Sequence, residues 1–202
     1  MRPFPALRLL PVVLIAACFS PPQTQIRAVL DGNYVLDSAH TSLVWQVSHV
    51  GLSQYTGRFD KISGTLFFDA VNPENSKVDV KIDPASFSTV NPDFDKKIIA
   101  APGWLGAEKW PEIRFVSTEI DKIDATHGIL KGDLTLRGQT HPVILAVTYN
   151  GAGKSFSHKG ATLGFHATGS LNRSDFGLTK YLRFGIGDQV SFEIEAEFNE
   201  KP

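Results

Sequence analysis

The sequence predicts an all-β fold: eight long antiparallel strands closed into an extended barrel, with one long irregular or partly helical lid connection. Three observations carry that reading. Apolar and polar residues alternate with period two along most of the 202 residues, clusters of Gly, Asn, Asp and Pro punctuate the alternation, and a single stretch from Asn91 to Pro111 breaks it.

The chain opens differently. Arg2 and Arg8 precede an apolar run from Leu9 to Ala17, which reads as a signal peptide over residues 1–17. That run is shorter than the ~20 apolar residues a membrane span needs. It ends in Ile15-Ala16-Ala17-Cys18, which resembles a bacterial lipobox, so Cys18 is the expected lipid-attachment residue; the alternative is ordinary signal cleavage nearby with an incidental cysteine. The expected location is then the periplasm, with the barrel tethered to the outer membrane because Phe19, not an aspartate, follows the cysteine. Residues 18–32 are polar and Pro-containing and suit a flexible tether, and 33–200 form the folded body. Cys18 is the only cysteine, so no intrachain disulfide can form.

Strands are expected at 33–49, 58–70, 76–85, 112–122, 128–137, 141–150, 158–172 and 189–200. The pattern is plainest at Val78, Val80 and Ile82, and at Phe192, Ile194, Ala196 and Phe198, each row interleaved with polar residues. Asn72-Pro73 and Asn150-Gly151 read as turns, and Gly153-Lys154-Ser155 as a hairpin turn. Strands this long leave costly open edges unless the sheet closes, which favours a barrel over a two-sheet sandwich. Eight strands enclose an interior that side chains can just fill or that holds one small ligand.

The inward rows bear on that choice. Leu43, Trp45, Val47 and His49 share one face, Leu134 and Leu136 another, and Leu163, Phe165, Ala167, Gly169 and Leu171 a third. The last row tapers to small residues, which either leave room for a ligand or mark a bend or bulge. In the 91–111 connection, Ile98, Ile99, Trp104, Leu105 and Trp110 either cap a cavity as a lid or plug the core.

Composition excludes some functions. Without residues 1–17 the chain holds 18 basic and 21 acidic side chains, a formal charge of −3, with no basic patch for nucleic acid. There is no Gly-x-Ser-x-Gly elbow and no His-Glu-x-x-His, and His127, His141, His158 and His166 lack paired metal-ligand spacing. Neither catalytic residues nor a metal site is expected. Arg173 and Asp175 read as a structural ion pair or turn clasp.

Several stretches together resemble the YceI-like polyisoprenoid-binding family. They are Leu36-Asp37-Ser38-Ala39-His40, His49-Val50-Gly51, Gly57-Arg58-Phe59 and Phe67-Phe68-Asp69, followed by Trp110 to Phe115, Gly132 to Gly138, Arg173 to Gly177 and Gly187 to Val190. The resemblance runs from Tyr34 to Phe198. It implies a lipocalin-like eight-stranded barrel, exported to the periplasm, with an apolar channel for an isoprenoid or fatty-acyl chain. Where such proteins often place two adjacent aromatic residues, this chain has Trp104-Leu105, so the mouth is expected to differ in shape.

The resulting expectation is an exported protein, not an enzyme, that carries, stores or sequesters a polyisoprenoid, isoprenoid quinone or fatty-acyl chain and needs no other cofactor. Trp45, Val47, Phe115, Leu134, Leu136, Phe165, Ala167, Phe192 and Ile194 line the expected channel, Trp104 sits near its mouth, and His49, inward near one end, makes a buried hydrogen bond either to a ligand head group or, as is commoner for a lone histidine, to a backbone carbonyl. Two rivals stand beside it: a lipid-modifying enzyme using the same cavity with His49 as general base, and a structural envelope protein whose barrel is filled by its own side chains.

Overall fold

A computed structural model describes residues 29–154 and 158–201. The expected signal segment, Cys18 and most of the tether lie outside the described residues. The body holds eleven strand segments: β1 (Gly32–Leu36), β2 (Ser42–His49), β3 (Ser53–Phe59), β4 (Ile62–Phe68), β5 (Lys77–Ile82), β6 (Phe87–Ser88), β7 (Ile113–Lys122), β8 (His127–Leu136), β9 (Gln139–Lys154), β10 (Ala161–Asn172) and β11 (Ile186–Glu200). They form one antiparallel sheet in which β1, β4, β5, β7, β8, β9, β10 and β11 make the ring, closed by pairing of β1 with β11. The barrel is therefore eight-stranded, and β2, β3 and β6 prolong its N-terminal strands past local breaks.

Those breaks have visible causes. The expected strand 33–49 is interrupted between β1 and β2, where the Asp37 carboxylate accepts hydrogen bonds from the Ala39 amide at 3.0 Å, His40 Nδ1 at 3.0 Å and Asn199 Nδ2 at 2.9 Å. This Asx-type turn lifts the chain out of the ladder, and β2 rejoins β11 at Ser42 opposite Glu195. The expected strand 58–70 begins earlier, at Ser53, and bends at Asp60-Lys61, whose amides both bond Ser86 at 3.0 Å. Its first half, Ser53 to Thr56, lacks an apolar row, which hides it from a hydrophobic pattern.

Two expected turns are strand instead. Asn150-Gly151 lies within β9: Gly164 pairs with Gly151 and Phe165 with Tyr149, so Asn150 is the extra residue of a β-bulge, and Gly151 takes φ 130°. Gly153 and Lys154 are the paired end of β9, opposite Thr162 and Ala161, while Ser155 lies outside the described residues. The β8–β9 connection is a two-residue hairpin turn at Arg137 and Gly138, with φ 53° and 74°. Positive φ at both positions gives the turn whose twist matches the flanking strands.

The long connection carries helix α1 (Pro92–Ala100). Asn91 caps it, its side chain accepting from the Phe94 amide at 3.1 Å, and Pro92 and Asp93 suit the first turn. Ile98 is buried, and the Leu105 amide bonds back to the Ile98 carbonyl at 3.1 Å, folding the following segment against the helix end. The side chains that form the core line the barrel wall, among them Leu66, Phe68, Phe115, Leu134, Leu145 and Leu163.

Candidate ligand cavity

Period-two alternation and antiparallel register bring the inward rows together. Trp45 stands opposite Phe192, Val47 opposite Val190, and Leu43 opposite Ile194 across β2 and β11. Ala167 pairs with the same Ile194 from β10, and Phe115 pairs with Leu134 across β7 and β8. Trp45, Val47, His49, Phe115, Leu134, Leu136, Phe165, Ala167, Phe192 and Ile194 all border one cavity of about 840 Å³, and Trp104 borders it from the segment after α1. The volume lies toward the upper end of the ~300–1,000 Å³ typical of ligand cavities.

The cavity reaches both ends of the barrel. Val50, Tyr181 and Phe184 border it at the end that carries α1, and residues 122 and 124–130 at the other. From Val190 to Phe198 the inward row of β11 alone runs roughly 27 Å along the strand. That shape suits a chain rather than a compact solute.

Glycines help to keep the interior open. A Cβ on Gly57 would lie 2.2 Å from Trp45 Cζ2, one on Gly169 2.8 Å from Phe192 Cζ, and one on Gly132 2.3 Å from Phe115 Cζ. Each large ring thus lies over a bare stretch of the adjacent strand instead of projecting across the barrel. Gly169 is therefore neither open room nor a bulge, since the Phe192 ring occupies its place, and the bulge sits at Asn150 on β9. Ala167 does face the cavity.

The polar content of the wall is small and specific. Trp45 Nε1, Trp104 Nε1 and the Tyr149 hydroxyl are buried without a hydrogen-bond partner among the described residues. Burial, reinforced by Tyr34, pushes the Tyr149 phenol up to about 12, so the hydroxyl stays protonated and available as a donor. Tyr149 and Phe68 are not among the channel residues expected from the sequence, yet they stack at 6.0 Å and both border the cavity. The alternation of Val143, Leu145, Val147 and Tyr149 was legible, but the other face of that strand carries Ile144 and Ala146, so period alone did not choose between faces.

His49 stands at the rim, exposed, with its ring 6.4 Å from Tyr55. A hydrogen bond there would compete with water, unlike the buried one expected from the sequence. Aromatic rings continue from it: Tyr55 lies 5.9 Å from Phe94, Phe94 6.4 Å from Trp104, and Trp104 5.7 Å from Tyr181.

Arg173 is a turn clasp. Buried, it donates from Nε to the Gly187 carbonyl at 2.7 Å, from Nη2 to the Ile186 carbonyl at 3.2 Å and from Nη1 to the Leu178 carbonyl. The carboxylate engaged at this turn is Asp188, which accepts from the Ser174 amide at 2.9 Å and hydroxyl at 2.7 Å; Asp175 is exposed. Two clusters with possible metal ligands, Asp37–His40–Glu197 and His166–Glu193–Glu195, gather ligand atoms within 4.8 Å of one another. His166 points away from the cavity, between inward Phe165 and Ala167, and pairs with Glu195 at 2.7 Å.

A closed antiparallel barrel around an apolar, chain-shaped interior defines the class of protein. The chain belongs to the YceI-like domain family, which matches it over residues 34–198. It is 38% identical over 148 residues to a UPF0312 protein of Pseudomonas savastanoi pv. phaseolicola, covering 72% of this chain and 76% of that one. Among solved structures, BcnA of Burkholderia cenocepacia is similar with a TM-score of 0.70 and 22% identity, over 80% of this chain and 98% of that one. A polyisoprenoid binding domain from Saccharophagus degradans, implicated in plant cell wall breakdown, gives a TM-score of 0.61 and 14% identity over 84% of this chain and 98% of its own. These two structural likenesses are likenesses of fold.

Proposed function

We propose that this chain is an exported carrier that sheathes one long apolar lipid, of isoprenoid type, inside the barrel. The observation that carries the reading is the cavity itself: about 840 Å³, bordered by apolar side chains drawn from every strand of the ring. A barrel filled by its own side chains would pack to native density, with few voids larger than a water molecule. Each methylene of a chain lipid gains ~0.8 kcal/mol on leaving water, so ten or more give tight binding after ordering costs. The Saccharophagus degradans neighbour, described as polyisoprenoid binding, supports the isoprenoid class.

The unpartnered indole donors Trp45 Nε1 and Trp104 Nε1 suit a ligand with a hydrogen-bond acceptor, such as a carbonyl, toward the α1 end. In this reading the signal segment exports the chain to the periplasm, and acylated Cys18 tethers it to the outer membrane. A lipid-modifying enzyme would need an activated group against the chain, and the rim position of His49 leaves that group in water. The test is recovery of the protein from its native envelope and mass spectrometry of what leaves it on denaturation. One intact long-chain lipid per barrel supports the carrier. Shortened or rearranged products support the enzyme, and an empty barrel supports a structural role.

A further inference from the structure

The end of the barrel that carries α1 exposes large apolar side chains beside the cavity. Leu52 is 86% exposed and Phe184 74%, on two turns joined by a hydrogen bond from the Val50 amide to the Gly185 carbonyl at 2.8 Å. Val90 is 95% exposed in the turn after β6, held nearby by the Tyr55 hydroxyl, 3.2 Å from Thr89 Oγ1. The backbone is strained to present this rim: Val50 and Tyr181 take φ 50° and 62°, a left-handed conformation that costs a bulky residue free energy.

Charge identifies the partner. The segments 49–54 and 177–185 contain Lys180 and Arg183 and no carboxylate; on α1 the Asp93 charge is countered by Lys96 at 3.3 Å and the buried Asp95 accepts from the Thr89 amide and hydroxyl, and Asp175 lies two residues before the second segment. At the far end the turns bearing exposed Val71 and Ile123 carry Asp69, Glu74 and Asp124, and the cations Lys77 and Lys122 that flank them are matched by these acids. Apolar tips accompanied in the same turns by Arg183 and by Lys180, whose Nζ lies 5.7 Å over the Trp104 ring, match an anionic bilayer, where the tips enter the acyl boundary and the cations meet the phosphates. A protein that takes its ligand from a membrane also needs its mouth against that membrane, because a long apolar chain crossing water loses its burial at every step.

We propose that the α1 end docks on anionic lipid bilayers, with Leu52, Val90 and Phe184 inserted and Lys180 and Arg183 on the headgroups, so that lipid passes directly between bilayer and cavity. The inference goes beyond the carrier reading, and its test stands apart from it. Full-length protein carrying Cys18→Ser, which removes any acyl anchor, is floated with phosphatidylcholine vesicles with and without 30% phosphatidylglycerol (roughly physiological anionic content). Flotation is expected with the anionic vesicles. The doubly substituted Leu52→Ser/Val90→Ser should lower partition at least about ten-fold, Arg183→Gln about five-fold, and the far-end control Val71→Ser/Ile123→Ser not at all.

Equilibrium binding of a pyrene-labelled hexadecyl chain, measured without vesicles, should be the same in all of them, because none of these side chains borders the cavity. Its transfer rate from vesicles should fall with partition. Failure of the unsubstituted surface to float, or equal loss with the far-end control, overturns the docking surface. Failure of the pyrene chain to bind overturns the carrier reading and leaves the flotation result standing.

Discussion

A tryptophan whose neighbour across the strand is a glycine is the smallest unit of this design. Trp45 pairs with Gly57, stacks on Phe87 at 5.2 Å and leaves its indole N–H without a partner among the described residues. Gly57→Ala would place a methyl 2.2 Å from the ring and 2.9 Å from the Ser88 carbonyl, so the ring must swing inward. Overpacking of this kind costs about 1–3 kcal/mol. Denaturant unfolding should register that loss and the tryptophan emission should shift, whereas an unchanged midpoint would mean that Trp45 does not rest on Gly57. The residues of this wall were legible wherever one strand face is apolar and the other polar. The seating of rings on glycines was not, because a glycine in a strand reads equally as a bulge, a gap or a contact, and only the register of the partner strand distinguishes them. A second residue-scale consequence concerns pH. The Asp37 hydrogen bond raises the His40 pKa above 6.5, and His40, followed by Asn199 and the Ala39 amide, lowers that of Asp37 below 3.8. The histidine contribution is complete below pH 6.5 and is lost as pH rises through its raised value; that of the aspartate is complete above 3.8 and is lost as pH falls through its lowered value. A proton NMR titration should place His40 above 6.5 and return it toward 6.5 in Asp37→Asn.

At the scale of elements, the molecule depends on how its loops are tied at the α1 end. Arg173 holds three carbonyls of the 177–187 segment, and Arg137 donates to the Phe176 carbonyl at 3.0 Å and the Pro102 carbonyl at 2.6 Å while lying 4.6 Å over Trp110. Two arginines thereby fix the β10–β11 connection, the β8–β9 turn and the segment after α1 as one cap. Arg173→Gln leaves at least one buried carbonyl unsatisfied and should destabilise by about 2–3 kcal/mol. Limited proteolysis should then cut first between 177 and 187, and an unchanged cleavage pattern would deny the clasp. The sequence showed the clasp only as a motif, because its acceptors are backbone carbonyls that no side-chain pattern reveals. The break between β1 and β2 did leave a mark: the inward row shifts from even positions, Tyr34 and Leu36, to odd ones, Leu43, Trp45 and Val47, a change of parity that one uninterrupted strand over 33–49 does not allow.

At the scale of the whole molecule, closure removes the edges of the eight-strand ring, leaving β3 and β6 as the open edge of its extension, and puts core and cavity wall on the same side chains, so stability and cavity shape are coupled. Closure was legible from strand length and number, since eight long strands with open edges are poorly tolerated. What occupies the interior was not, because the same inward residues can fill a barrel or line a channel until their rotamers and glycine seats are known. The central claim is that this interior is a channel for a chain. Its most direct test is a binding titration of delipidated protein with prenyl alcohols of increasing length, run in parallel on Ala167→Phe. Ala167 faces the cavity, so the larger ring should be accommodated within about 1.5 kcal/mol of the original stability. Affinity should climb by up to ~0.8 kcal/mol per added methylene equivalent and then level off, and the plateau should come at a shorter chain in Ala167→Phe. Affinity independent of chain length, or an Ala167→Phe barrel that fails to fold, would mean a solid interior and contradict the account.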